Sequence, residues 1–306
     1  MPQPGPDDVL VRVHAAGLNR AELAMAAGHA HGSHGGTGAG IGLEWSGEVA
    51  EIGSNVTDVK PGDRVMASGN GGYADYAVTD QGRVSPVPDS NMGWVQAATL
   101  PIALQTMHDA LVTNGALNAG QAVLIQGASS GVGLMGLQIA RELGATTILG
   151  ASRNPAHRER LSAFGATGVI DTTDEDWSQA VLEATGGEGV DLVVDVVSAP
   201  VSRGNLLATR IKGRIVNVGR LGGQEGPFDF DLHAARRISY IGVTFRTRSA
   251  DEVREINRRM RADLWPALEA GRLTLPVDRV FPLEEANQAL AYMRKNHHLG
   301  KIVLTV

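Results

Sequence analysis

The 306-residue chain reads as an α/β protein of two domains: a β-rich domain assembled from residues 1–96 and 248–306, and a doubly wound parallel sheet over residues 97–247. Three observations predict this. Short β-type runs broken by Gly, Pro and Asp fill the first part, the texture of a compact domain of strands and tight turns. From about Ala97 apolar runs alternate with segments apolar at helical spacing, as in a sheet with crossover helices. The first of those strand-to-helix turns, "QGASSGVG" from Gln126 to Gly133, is built from small residues.

Taken in order, "VLVRVHAAG", "WSGEVAEIG", "DRVMAS" and "YADYAVT" are the strands of the β-rich part. "AVLIQG", "TTILGAS", "GVID", "VDLVVDVV", "GRIVNVG" and "ISYIGVTF" are those of the parallel sheet, with helices expected between them, among them Val132 to Leu143 and His157 to Phe164. A charged helix, "ADEVREINRRMRADLWPALEAG", a second helix in "LEEANQALAYMRKN" and a last apolar strand, "GKIVLTV", are expected to return to the first domain. Internal repeats are not visible, and the one biased segment is the loop "AGHAHGSHGGTGAGIG", Ala27 to Gly42.

The bulk numbers narrow the function. A hydrophobic content of 43% supports real cores, and 39 glycines with only 4% aromatic residues suggest close backbone approaches rather than aromatic-lined grooves. The net charge of −6 argues against a nucleic-acid or membrane-surface role. No cysteine occurs, which removes disulfides, thiolate catalysis and Cys-ligated zinc. Without a long apolar run or a signal-peptide pattern in "MPQPGPDDVLVRV", a soluble cytoplasmic protein is expected.

At a strand-turn-helix junction small residues let the backbone approach a pyrophosphate, and the helix N-terminus favours its charge. Ala128, Ser129, Ser130, Gly131, Val132 and Gly133 are therefore candidate dinucleotide ligands; close packing alone is the plainer alternative. The next strand ends "GASRNPAHR". A carboxylate there would suit the ribose hydroxyl of NADH; Ser152, Arg153 and His157 suit the 2′-phosphate of NADPH. A solvated basic helix start is the competing explanation.

With these residues in view, the chain resembles the medium-chain dehydrogenase/reductase superfamily, and within it the zinc-independent quinone oxidoreductases. "AAGLNRAEL", "GLEWSGEVAEIGSNVTDVKPGDRV", "GGYADYAV", "QAATLPIALQTMHDAL", "QGASSGVGLMGLQIARELGA", "GEGVDLVVDVV", "GRIVNVGRLGG" and "NHHLGKIVL" run in family order from about Val9 to Leu304. The resemblance implies a Rossmann domain joined to a GroES-like substrate domain, NADPH in the cleft between them, hydride transfer to a quinone or α,β-unsaturated carbonyl, and a homodimer paired through the strand near Ile238 to Phe245. It also implies a catalytic role for Asn19, whose amide would donate to a developing enolate oxygen; a helix cap in "LNRAEL" is the plainer alternative. Gly219, Arg220 and Leu221 match the strand end that presents backbone to the nicotinamide, and Phe245, Arg246 and Thr247 the wall of the substrate site. Glu44 and Trp45 read as packing residues, Asp191 and Asp195 as structural.

Departures from the family pattern bear on chemistry. Zinc-dependent relatives carry a "GHE" motif where this sequence has Leu43 and Glu44 in "GLEWSG", and a four-Cys lobe that is absent here, so no metal is expected. His29, His31 and His34 could ligate a metal, but their Gly-rich setting reads better as a mobile loop near the substrate. A tyrosine that relatives often carry after the first helix is missing, leaving His29, His31 or water as proton donor. Relatives also begin with additional residues forming a strand pair, so a misassigned start or a lost hairpin is expected. An enoyl-thioester reductase of the same fold, with Arg246 and Arg248 at a basic entrance, and a non-catalytic NADPH-binding sensor are the alternative functions. A short-chain dehydrogenase is disfavoured because "YMRK" has only two residues between Tyr292 and Lys295.

Overall fold

The computed structural model describes residues 1–32, 34–36, 38–88 and 92–306; of the side chains of His31 and His34 nothing is described. The chain forms two compact units, Met1–Gln105 with Phe245–Val306, and Thr106–Thr244.

The first unit begins with β1 (Asp8–Gly17), the short helix α1 (Glu22–Ala26) and a two-stranded hairpin of β2 (Ala30–His31) and β3 (His34–Gly35). It continues through β4 (Glu44–Ile52), β5 (Arg64–Ser68), β6 (Tyr76–Asp80), β7 (Val84–Pro86), α2 (Trp94–Ala97) and α3 (Pro101–His108). The second unit holds β8 (Ala122–Gln126), α4 (Gly131–Glu142), β9 (Thr147–Ala151), α5 (Pro155–Arg158), β10 (Gly168–Ile170), α6 (Trp177–Ala184), β11 (Val190–Asp195), α7 (Ser202–Ala208), β12 (Thr209–Asn217), α8 (Phe230–Arg236) and β13 (Ser239–Gly242). The chain then returns to the first unit as α9 (Ala250–Glu269), β14 (Val277–Pro282), α10 (Ala286–Arg294) and β15 (Lys301–Thr305).

β1 organises the first unit. It pairs with β4 along its length, with β6 through residues 8–12 and with β15 through residues 15–17. Register shifts at Leu10/Val11 and Val13/Ala15 bend the strand, and such bulges let one strand change partners as the sheet curls. Its Val9, Val11 and Val13 join Trp45, Val49, Val65, Leu304 and neighbours in one core. The final strand does return to the first domain, antiparallel to β1, and β14 lies parallel to it on the far side.

The second unit is a six-stranded parallel sheet in the order β10-β9-β8-β11-β12-β13. Its central strands read as unbroken apolar runs because helices cover both faces: Val123, Leu124 and Ile125 of β8 are fully buried. The unit starts at Thr106 rather than at the change of texture near Ala97. Residues 97–105 are tied to the first unit by Ile102 N–H donating to Glu44 (2.8 Å) and Ser68 Oγ donating to Gln105 (3.1 Å). The helix expected over His157 to Phe164 is instead the one-turn α5, begun by Asn154 and Pro155, followed by a separate 3₁₀ turn, Leu161–Phe164, that Gly165 ends at φ 104°.

Candidate functional site

In an open parallel sheet the ligand crevice lies at the carboxyl ends of the strands where the order reverses, here between β8 and β11. After β8 the chain turns through Gly127 at φ 67° into α4. Ser130 caps that helix, accepting from Gly133 N at 3.1 Å and donating to Gly127 O at 2.8 Å. Gly131 and Val132, its first two residues, have amide N–H groups with no acceptor inside the helix. A Cβ on Gly133 would stand 2.5 Å from Gly127 O and 2.6 Å from Ala128 Cα, and one on Gly127 2.6 Å from Val196 Cγ2. The glycines thus let strand, helix and neighbouring loop close together, and two N–H groups face outward at the positive end of a 12-residue helix. That donor set fits a dinucleotide pyrophosphate.

At the end of β9, Ser152 is largely buried, its Oγ 3.3 Å from Ser129 Oγ and accepting from Asn154 N. Arg153 is exposed and His157 half-buried. Arg158 is committed elsewhere, to Asp171 at 2.7 Å and to the Ser152 carbonyl at 2.8 Å. No carboxylate occupies the end of β9 itself, so the donors present there suit a phosphate better than a ribose hydroxyl.

The loops after β11 and β12 are joined by a polar network. Asp195 is fully buried and accepts from Val197 N (2.8 Å), Ser198 N (2.9 Å) and Asn205 Nδ2 (2.9 Å); burial raises its carboxyl above the ordinary value. Asn205 in turn accepts from Gln126 of β8 at 2.9 Å. Ser198 Oγ donates to Gly219 O and accepts from Asn217 Nδ2, each at 2.6 Å. Of the residues matched to the nicotinamide turn, Gly219 lies against Val196, Arg220 is half-buried with its guanidinium 3.3 Å from Val218 O, and Leu221 is exposed.

The first unit contains a second cluster around Asn19. Its Nδ2 donates to Glu44 Oε1 at 3.0 Å and, at 3.4 Å, to Gly17 O, while its Oδ1 accepts from Lys301 Nζ at 3.0 Å. Lys301 also donates to Leu18 O at 2.7 Å and forms an ion pair with Glu44. Lys301 is 5% exposed and Glu44 fully buried. Glu44 is therefore the hub of a buried charged network and not a packing residue: a buried carboxylate is tolerated because Lys301, Asn19 and the Ile102 amide satisfy it.

Beside this network, Glu22 is fully buried and accepts from Asn19 N (2.8 Å), Leu43 N (2.8 Å) and Tyr73 OH (2.5 Å). Burial pushes Glu22 up to about 7, against the pull of those hydrogen bonds and of Lys301. The Tyr73 phenol is pushed well up by burial and by Glu22. Asn19 does not cap α1 through its side chain: α1 follows Ala21, and Glu22 folds back to the Asn19 amide.

Gly32 of the His-rich hairpin packs on the backbone of Arg246, where a Cβ would meet Arg246 O at 2.6 Å. The hairpin and the segment Phe245-Arg246-Thr247 thus come together within one unit. Phe245 is half-buried with Arg248 above its ring, and Arg246 and Thr247 are exposed. His29 is exposed, and the side chains of His31 and His34 lie outside the described residues.

Two family models match, one described as an alcohol dehydrogenase GroES-like domain over residues 5–89 and one as a zinc-binding dehydrogenase over residues 131–261. The chain belongs to the medium-chain dehydrogenase/reductase family. Quinone oxidoreductases and an enoyl reductase are both among the solved structures it resembles. A quinone oxidoreductase of Pseudomonas syringae is 26% identical with a TM-score of 0.87, covering all of this chain and 93% of the other. The enoyl reductase CurK is 26% identical with a TM-score of 0.86, covering all of this chain and 92% of that one. A mycobacterial protein solved with NADPH is 26% identical with a TM-score of 0.87, again covering all of this chain and 93% of the other. Among curated proteins, the polyketide synthase GfsB of Streptomyces halstedii is 35% identical over 272 residues, which is 87% of this chain and 4% of that synthase. The chain spans only between 4% and 14% of the length of the first curated relatives it matches. No helix among the described residues is long and apolar enough to cross a membrane.

Tyr73, Glu22, Lys301 and Ser198 belong to these polar clusters, and sequence reasoning singled out none of them. A signal existed for Lys301, in its pairing with Glu44. Lys301 opens an otherwise apolar strand and Glu44 sits in an apolar run, and isolated opposite charges in two buried strands suggest a pair.

Proposed function

We propose that this medium-chain dehydrogenase/reductase uses NADPH to reduce a quinone or an α,β-unsaturated carbonyl without a metal. When bound, NADPH supplies the hydride. The observation that carries the cofactor choice is the end of β9, where an exposed Arg153 beside Ser152 stands in place of a carboxylate. Ala128 to Gly133 would hold the pyrophosphate, Ser152, Arg153 and His157 the 2′-phosphate, and Gly219, Arg220 and Leu221 the nicotinamide end. Asn19 would offer the acceptor oxygen the one amide hydrogen it holds weakly, that directed at Gly17 O at 3.4 Å; Lys301 and Glu44 fix the plane of that amide. Phe245, Arg246 and Thr247 would border the acceptor.

The test is NADPH oxidation followed with 1,2-naphthoquinone, 1,4-benzoquinone, trans-2-hexenal and crotonyl-CoA, in wild type and Asn19→Ala, with NADH in parallel. Turnover with a quinone or enone that Asn19→Ala abolishes is expected. Arg153→Ala should raise the NADPH Michaelis constant about tenfold or more, as loss of a charge-assisted contact does, and leave that for NADH unchanged. Preference of the wild type for NADH would refute the assignment. A second reading, reduction of an enoyl thioester, is favoured by the similarity to CurK and to a polyketide synthase; crotonyl-CoA as the best acceptor would select it. The protein is further proposed to pair as a homodimer through β13, whose Ser239, Tyr240 and Gly242 are exposed at the edge of the parallel sheet.

A further inference from the structure

Ser198 adopts φ 72° and ψ −114°, a backbone conformation that costs a side-chain-bearing residue free energy and persists where surroundings impose it. The surroundings are explicit. Asp195 Oδ1 receives both Val197 N and Ser198 N, which bends the chain sharply after β11. The Ser198 hydroxyl then bridges to the next loop, donating to Gly219 O and accepting from Asn217 Nδ2. Leu221 N donates to Val196 O at 3.1 Å and Gly222 N to Val197 O at 2.8 Å. On its other side the same loop touches the phosphate turn, since Val196 Cγ2 fills the space a Gly127 Cβ would need.

Resting on the assignment of a nicotinamide dinucleotide to this unit, we infer that Ser198 is a positioning residue for the nicotinamide half of the cofactor. Its hydroxyl consumes the Gly219 carbonyl and orients the turn Gly219-Arg220-Leu221, while its backbone is held in place from beneath by Asp195. The adenine and phosphate half would depend on other residues, Ser130, Gly131, Val132 and Arg153, whereas the hydroxyl of Ser198 is engaged with Gly219 and Asn217. Glycine is at ease at this φ, so Ser198→Gly removes the hydroxyl bridge without adding backbone strain, and the fold is expected to survive.

The experiment measures dissociation constants of NADPH and of 2′-phospho-ADP-ribose, which lacks the nicotinamide, by calorimetry on wild type, Ser198→Gly and Ser198→Ala, with the melting temperature of each. Ser198→Gly should weaken NADPH about fivefold or more, the order of one lost hydrogen bond, and leave 2′-phospho-ADP-ribose unchanged. Ser198→Ala should show the same selective loss together with a lower melting temperature, since it keeps the strain and loses the bridge. Unchanged NADPH affinity in Ser198→Gly, or equal weakening of both ligands, overturns the positioning role. Failure of the wild type to bind either ligand overturns the cofactor assignment itself and the role with it.

Discussion

Glu22 shows how one side chain can tie stability to pH. Folded, it holds its proton up to about 7, whereas an unfolded glutamate releases it near 4.5. Between those values the folded state binds the extra proton, so the contribution of Glu22 is complete below about 4.5 and is lost as pH rises through 7. The loss is on the order of 3 kcal/mol across that window. His14 works the other way, because burial lowers its value and its contribution grows as pH rises. Urea unfolding of wild type and Glu22→Gln at pH 5 and pH 7.5 separates the two. The wild type should lose more stability over this interval than the variant, and parallel profiles would show that Glu22 does not titrate in it.

Among the elements, the β8–α4 junction is the most exacting. A methyl group on Gly133 would lie 2.5 Å from Gly127 O and 2.6 Å from Ala128 Cα, and both neighbours are backbone that cannot swing away. Gly133→Ala is expected to push α4 off the strand, costing about 2 kcal/mol or more by overpacking and weakening NADPH; an unchanged melting temperature with wild-type affinity would contradict this. That junction was legible in the sequence because its signal is local: an apolar run, small residues and helical periodicity follow one another. The same holds for the strands of the parallel sheet. The Asn19–Glu44–Lys301 network was not legible, since its members are separated by 25 to 282 positions and only the curled sheet brings them together. Ser198 escaped for another reason: nothing in "DVVSAP" announces a positive φ, which follows from how Asp195 gathers the two amides after it.

At the scale of the whole molecule, an edge strand such as β13 leaves one row of backbone groups open to a partner. Light scattering at micromolar concentration should therefore return twice the 32.1 kDa subunit mass, and replacing Tyr240 with proline, whose amide lies on the side of β13 away from β12 and is lost from the edge, should return the subunit mass; a monomeric wild type would remove the basis for the pairing. The two-part architecture was readable from the change in texture, but its seam was displaced to Gln105/Thr106 because hydrogen bonds from residues 102 and 105 reach strands laid down much earlier in the chain. Those same long reaches govern the order of assembly. β1 leaves the ribosome long before one of its partners, β15, whereas the parallel sheet is encoded in one uninterrupted stretch. During synthesis the middle of the chain can fold while the opening strands wait, one flank of β1 uncovered, for residues 301–305 to emerge. A ribosome stalled before Gly300 would hold a finished parallel sheet and a first unit still lacking β15, the stage at which chaperone capture or aggregation is to be looked for.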